Sequence, residues 1–169
     1  MANLDIRHMM ERCDIYVLDL GSFYYVGRTN NPKQRMMAHI AGTASNFTRQ
    51  HKPIKIYRYY RNATPAREKS VACLMIKEKG AYRVRGWKWT GQRTTKKMLK
   101  IEDSDKWNTE SRFLQKCRVS DEELESLNIE FGFIGENKQT WDTRSKETYR
   151  DKQINWDRKK PTDDQDSKS

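Results

Sequence analysis

The stretch YYVGRTNNPKQRMMAHIAG, residues 24–42, passes from an aromatic and β-branched run into a helix within a few positions. Tyr24, Tyr25 and Val26 favour an extended chain. Asn31 is a strong N-cap, Pro32 suits the first helical position, Gln34 stands where a capping box closes, and Gly42 suits the position just past the end. A helix is therefore expected over residues 32–41. Met36, Met37 and Ile40 make its apolar stripe, while Arg35 and His39, four apart, share another face that is left available for chemistry.

Upstream, DIYVLDLGSFYYVG (residues 14–27) reads as a β-hairpin whose Gly21-Ser22 pair suits a tight type II′ turn. Downstream, IKIYRYYRN supplies a third strand from about residue 54 to 61. Thr64-Pro65 then opens a second helix, AREKSVACLMIKEK, which ends before Gly80 and buries Val71, Leu74 and Met75. The order β-β-α-β-α predicts a small α+β domain. Farther on, SDEELESLNIEF suits a short capped helix running into a strand, and residues 157–169 lack an apolar anchor, as expected of a disordered tail.

Charge divides the chain of 169 residues, whose net charge is +11. Residues 1–100 hold 21 Lys and Arg against 6 Asp and Glu; residues 101–169 hold 13 against 17. Positive charge so concentrated repels itself, and a polyanionic partner relieves that repulsion, which favours nucleic acid as the ligand of the basic part. A boundary near residue 100 follows: a working domain over 1–100, a mixed accessory region over 101–156 that docks on that domain, dimerises or binds a protein partner, and the tail at 157–169. Three scattered cysteines, Cys13, Cys73 and Cys117, suggest neither a disulfide framework nor a paired zinc site. No apolar run approaches a membrane span and the opening residues carry charge, so a soluble intracellular protein with no membrane partner is expected.

Tyr16, Tyr25, Gly27, Arg35, His39 and Glu68 occur in the order found in the GIY-YIG nuclease superfamily, which residues 13–90 resemble. The first name motif stands here as Asp14-Ile15-Tyr16 and the second as Tyr25-Val26-Gly27. IYVLDL, YYVGRTNNPKQR, HI-x-G, KPIKI and E-x-x-x-x-C-L-M-I-K-x-x-G-x-x-x-V-R-G extend the similarity to one branch of the superfamily. Asp14 replaces the glycine of the first motif, the two motifs lie close together, and Arg83 stands near where many members have asparagine.

The resemblance implies a three-stranded antiparallel sheet flanked by helices, and a metal-dependent endonuclease that hydrolyses DNA by water attack. Glu68 is the implied ligand of Mg²⁺, with Mn²⁺ as a substitute, since a hard oxygen donor with retained waters suits that ion. Arg35 presents its fork of donors to a phosphate oxygen. Tyr16 or Tyr25 takes a proton from water, helped by cationic neighbours such as Arg28 or Lys33. For His39 a bond to a tyrosine hydroxyl, a proton shuttle and a phosphate contact all stay open.

Gly27 is expected to let the chain turn tightly into the helix. In AYRVRGWKWTGQRTTKK, residues 81–97, aromatic and basic residues interleave. Arg85, Trp87, Lys88, Trp89, Arg93, Lys96 and Lys97 are therefore candidate nucleic-acid contacts, beside Arg28 and Lys33, although the tryptophans are equally suited to capping the core. Two rival functions use the same residues: a nucleic-acid-binding module without turnover, and a scaffold with a degenerate nuclease domain.

Overall fold

The computed structural model describes residues 11–133. The tail at 157–169 and the part of the accessory region beyond 133 lie outside the described residues. Strand β1 (Cys13–Asp19) turns back into β2 (Tyr24–Thr29), helix α1 (Pro32–Ala41) follows, and a five-residue helix α2 (Asn46–Gln50) leads to β3 (Lys55–Ala63). Helix α3 (Arg67–Lys79) then carries the chain to a short strand β4 (Val84–Gly86). Helices α4 (Lys96–Asp103), α5 (Arg112–Cys117) and α6 (Asp121–Glu130) complete the described chain.

The sheet order is β3-β1-β2-β4, with β1 antiparallel to both neighbours and β4 parallel to β2. The fold is α+β as expected, but the sheet is four-stranded and mixed rather than three-stranded and antiparallel. The added strand has three residues, one of them a buried arginine, so it carries no alternation by which to be read. The α3 crossover is what permits its parallel pairing, because such strands cannot be joined by a tight turn.

Alternation of side chains divides β1 between two cores. Ile15 and Val17 pack with Val26, Tyr60, Val71, Met75, Met98 and Leu114 on the α3 side. Tyr16 and Leu18 pack with Tyr25, Met36, Phe47, Ile56, Tyr59 and Leu127 on the opposite side. Helix α3 buries Val71, Leu74 and Met75 as expected, together with Ala72, Cys73 and Ile76. Thr64 is not its side-chain cap; Ala66 takes the N-cap position, and the Thr64 carbonyl accepts from the Arg67 amide in the preceding turn.

Helix α1 is bounded as its caps require: Asn31 accepts from the Gln34 amide, and Gly42 closes it in the left-handed conformation. Its buried stripe differs from expectation. Met36 and His39 are fully buried, whereas Met37 and Ile40 are 58% and 44% exposed. His39 thus turns toward the sheet.

The change in charge at residue 100 falls inside α4, whose Met98 belongs to the same core as Ile15. The chain beyond it covers the β3 edge. The Asn128 carbonyl oxygen accepts from the Ile56 amide at 2.7 Å, and its side-chain nitrogen donates to the Ile56 carbonyl at 3.1 Å. The Val119 amide donates to the Tyr59 carbonyl at 3.0 Å, and Arg118 bridges to Tyr60. An open strand edge is thereby satisfied by one buried amide and a short run of main chain. SDEELESLNIEF forms α6 up to Glu130, capped by Ser120, and no strand follows it among the described residues.

Replacing Asn128 with leucine orphans both buried polar groups of Ile56, each worth about 1–3 kcal/mol of desolvation. Urea denaturation should show a loss of at least that size, and an unchanged midpoint would show that the edge does not depend on this amide.

Candidate active site

Tyr16 on β1 lies opposite Gly27 on β2 in the antiparallel register, and its phenol crosses the bare Cα of that glycine. A Cβ on Gly27 would collide with the Tyr16 hydroxyl and the adjoining ring atoms. Gly27 therefore serves close approach of a side chain, in place of the tight turn expected from the sequence. The hydroxyl it makes room for receives two groups from α1: Arg35 Nε donates to it at 3.1 Å, and His39 Nε2 lies 2.7 Å away.

Hydrogen-bond inventory is satisfied with His39 Nε2 as acceptor. Arg35 can only donate, so it occupies one lone pair of the Tyr16 oxygen, and the Tyr16 hydrogen can then point to His39 Nε2. The proton of neutral His39 then sits on Nδ1 and is donated to Thr48 Oγ1 at 3.0 Å. Thr48 Oγ1 in turn meets Ser45 Oγ at 2.8 Å, and Ser45 opposes the rise in the Tyr25 pKa. Tyr16, His39, Thr48 and Ser45 thus form one continuous hydrogen-bonded chain. The rings pack as well, His39 lying edge-on to Tyr16 at 5.3 Å and to Tyr25 at 5.5 Å.

Burial governs the protonation of this cluster. It pushes the pKa of Tyr16 up despite the opposing bond and charge of Arg35, and raises Tyr25 against Ser45 and Arg35. It also drives His39 down to about 3, assisted by the positive charge of Arg35. Arg35 itself loses hydration, yet its bond to Tyr16 and the neighbouring Tyr25 and Glu68 hold its pKa above the ordinary value. Tyrosines and histidine are neutral at physiological pH, and arginine is the standing charge.

Glu68 enters from the first turn of α3. Its Oε2 pairs with Arg28 Nε at 3.1 Å, and it couples electrostatically to Tyr16, Tyr25 and Arg35. Burial raises its pKa, while Arg28 and then Arg35 pull it back. The Glu68 side chain is 13% exposed against 48% for that of Arg28.

The other candidates separate. Lys33, Lys88, Arg93 and Lys97 are exposed and Lys96 is half-buried. Trp87 and Trp89 meet edge-to-face at 4.8 Å and pack against the α3-side core, with Lys69 and Lys88 each over the Trp87 ring. Arg85 is a correction: it is fully buried and cannot meet a nucleic acid. Its guanidinium donates to the carbonyls of Ala81, Val84, Gly91 and Gln92 and to the Thr94 hydroxyl. Burial lowers its pKa to about 10, which leaves it charged.

Ser45 and Thr48 were not among the residues singled out from the sequence. They stand three apart, with Ser45 capping α2 through the Thr48 amide, and a helix of five residues is too short to display a period.

Tyrosine, arginine, histidine and glutamate are thus gathered at one end of the sheet of a basic α+β domain. Residues 15–81 match the family model of the GIY-YIG catalytic domain, and this domain belongs to the GIY-YIG nuclease superfamily. No significant match was found among curated proteins or among solved structures.

Two measurements check this geometry. Gly27→Ala overpacks the strand pair and should destabilise the protein by about 1–3 kcal/mol in thermal melts; an unchanged melt would mean that the phenol does not lie on Gly27. His39 should stay neutral and Nδ1-protonated from about pH 8 to pH 5 in nitrogen-resolved imidazole spectra. Because the unfolded chain takes up this proton near 6.5 and the folded one only near 3, stability should fall as pH drops through that window. A His39 inflection near 6.5 would refute the buried neutral ring.

Proposed function

We propose that the protein is a Mg²⁺-dependent endonuclease that hydrolyses DNA phosphodiester bonds with water as nucleophile. The observation that carries this is the Tyr16 hydroxyl held between a donor that is always charged and a histidine nitrogen free to accept. As Tyr16 takes a proton from the attacking water, its own hydrogen passes to His39 Nε2. Arg35 steadies the negative charge that develops on the phenol oxygen and on the phosphate it faces. Burial and Arg35 oppose a lasting imidazolium, so His39 holds the proton only transiently and returns it when the site resets. The chain through Thr48 and Ser45 keeps the ring in the accepting tautomer.

The donor set suits a magnesium ion bound largely through water. Glu68 is the carboxylate of the cluster, its Oε1 has no partner among the described residues, and these contain no group of three or more metal-ligating side chains. One carboxylate with several retained waters is the usual demand of this ion. Glu68 would hold it, and Arg28 would exchange the carboxylate for a substrate phosphate. When bound, the ion polarises the phosphate and stabilises the departing oxygen.

Glu68→Gln should lower cleavage of plasmid and duplex DNA in Mg²⁺ by at least about 100-fold. Its affinity for duplex in Ca²⁺ should equal or exceed the parent's, because Arg28 is released. Cleavage by the parent should stop with chelator. Parental rates in Glu68→Gln would exclude the metal role, and intact plasmid, flap, junction and single-stranded substrates after long incubation of the parent would exclude hydrolysis.

A further inference from the structure

An open cleft of about 490 Å³ lies where the end of β3 meets α5, lined by Arg12, Arg61, Phe113, Lys116, Arg118 and Glu123 among others. Four of these six are cations and one is an acid. Arg61 is paired with Glu123 at 2.7 Å, and Arg118 reaches Glu110 at 3.6 Å, on the carboxylate oxygen that already accepts from Tyr60. Lys116 and Arg12 are exposed. The Phe113 ring gathers further charge, with the Arg12 guanidinium 5.7 Å and the Arg67 guanidinium 4.6 Å from its centroid.

Arg67, which shares the Phe113 ring with Arg12, is the residue before Glu68 in the first turn of α3, so the basic rim of the cleft lies near the candidate active site. The sheet register agrees. Cys13 pairs with Ala63 at this end of β3, and its thiol is influenced by both Arg28 and Glu68. Cleft and carboxylate therefore occupy the same end of the sheet, joined by Arg67. Cations strung along a surface, rather than converged on one point, match a ligand whose charges repeat along a line. Of the cleft cations only Arg61 lies within the matched residues; Arg12 stands just before β1, and Lys116 and Arg118 come from the segment that follows the match.

We propose that this cleft binds the sugar-phosphate backbone of the DNA at phosphates flanking the one cut at Glu68. It is an exosite completed by the chain beyond the matched domain, and it rests on the nuclease reading of the site.

The test uses the full chain carrying Glu68→Gln, with duplexes of about 10 and about 30 base pairs, roughly 34 and 100 Å long. Adding Arg12→Ala and Lys116→Ala should weaken binding of the longer duplex about tenfold in fluorescence anisotropy and lower the salt slope by about 2, the loss growing with duplex length. Unchanged melting temperature controls for folding. Equal affinity and slope, or the same loss at both lengths, would overturn the exosite. So would displacement of the duplex, through these residues, by inorganic phosphate at matched ionic strength or by polyglutamate of matched charge, which would make it a small-anion pocket or a dock for acidic protein. Cleft-dependent binding by a parent that cuts nothing would refute the hydrolase reading and keep the exosite; cutting with cleft-independent binding would refute the exosite alone.

Discussion

The close passage of one phenol over one glycine organises the active end of this protein. Because Gly27 has no side chain, Tyr16 lies down across the neighbouring strand and puts its oxygen within reach of α1. Everything polar in the cluster is placed relative to that oxygen. Arg35 and His39 meet it from successive turns of one helix, and Thr48 and Ser45 fix the far nitrogen of the histidine. Buried polar networks of this kind are stable only when each member has a partner. Here Arg35 Nε, Tyr16, His39, Thr48 and Ser45 are each hydrogen-bonded within the cluster.

The two halves of the sequence, so different in charge, are one body in the described structure. Acidic residues of the later part do specific work against basic and hydroxyl groups of the earlier part: Glu110 accepts from Tyr60, and Glu123 pairs with Arg61. The exposed Arg61–Glu123 pair adds little stability by itself, whereas the Tyr60–Glu110 bond is largely buried. The packing of Met98, Leu114 and Leu127 into the two cores, and the amide of Asn128 on the β3 edge, attach the segment more firmly.

Much of this was legible in the sequence because local chemistry and tertiary structure agree. The Asn31, Pro32 and Gly42 signals bound α1, the hairpin runs bound β1 and β2, and the ordered tyrosines, arginine, histidine and glutamate pointed to the site. Misreadings arose where tertiary contacts override local pattern. Met37 and Ile40 looked like the inner face of α1, but the hydroxyl of Tyr16 draws His39 inward instead. Arg85 looked like a surface cation, yet carbonyls from a later loop satisfy it in the interior, and β4 went unread because three residues around such an arginine show no alternation. Ser45 and Thr48 sat in a stretch too short for periodicity, where only the histidine they support gives them meaning.

The enclosed guanidinium of Arg85 has a consequence for how the protein can vary. The carbonyls of Gly91 and Gln92 and the hydroxyl of Thr94 all close on this one group, so the path of the loop is templated from inside. Lys88, Arg93 and Lys97 ride on that template without building it. Mutation can therefore redistribute the outward charges over generations, retuning the surface that a ligand meets, while the loop keeps its course.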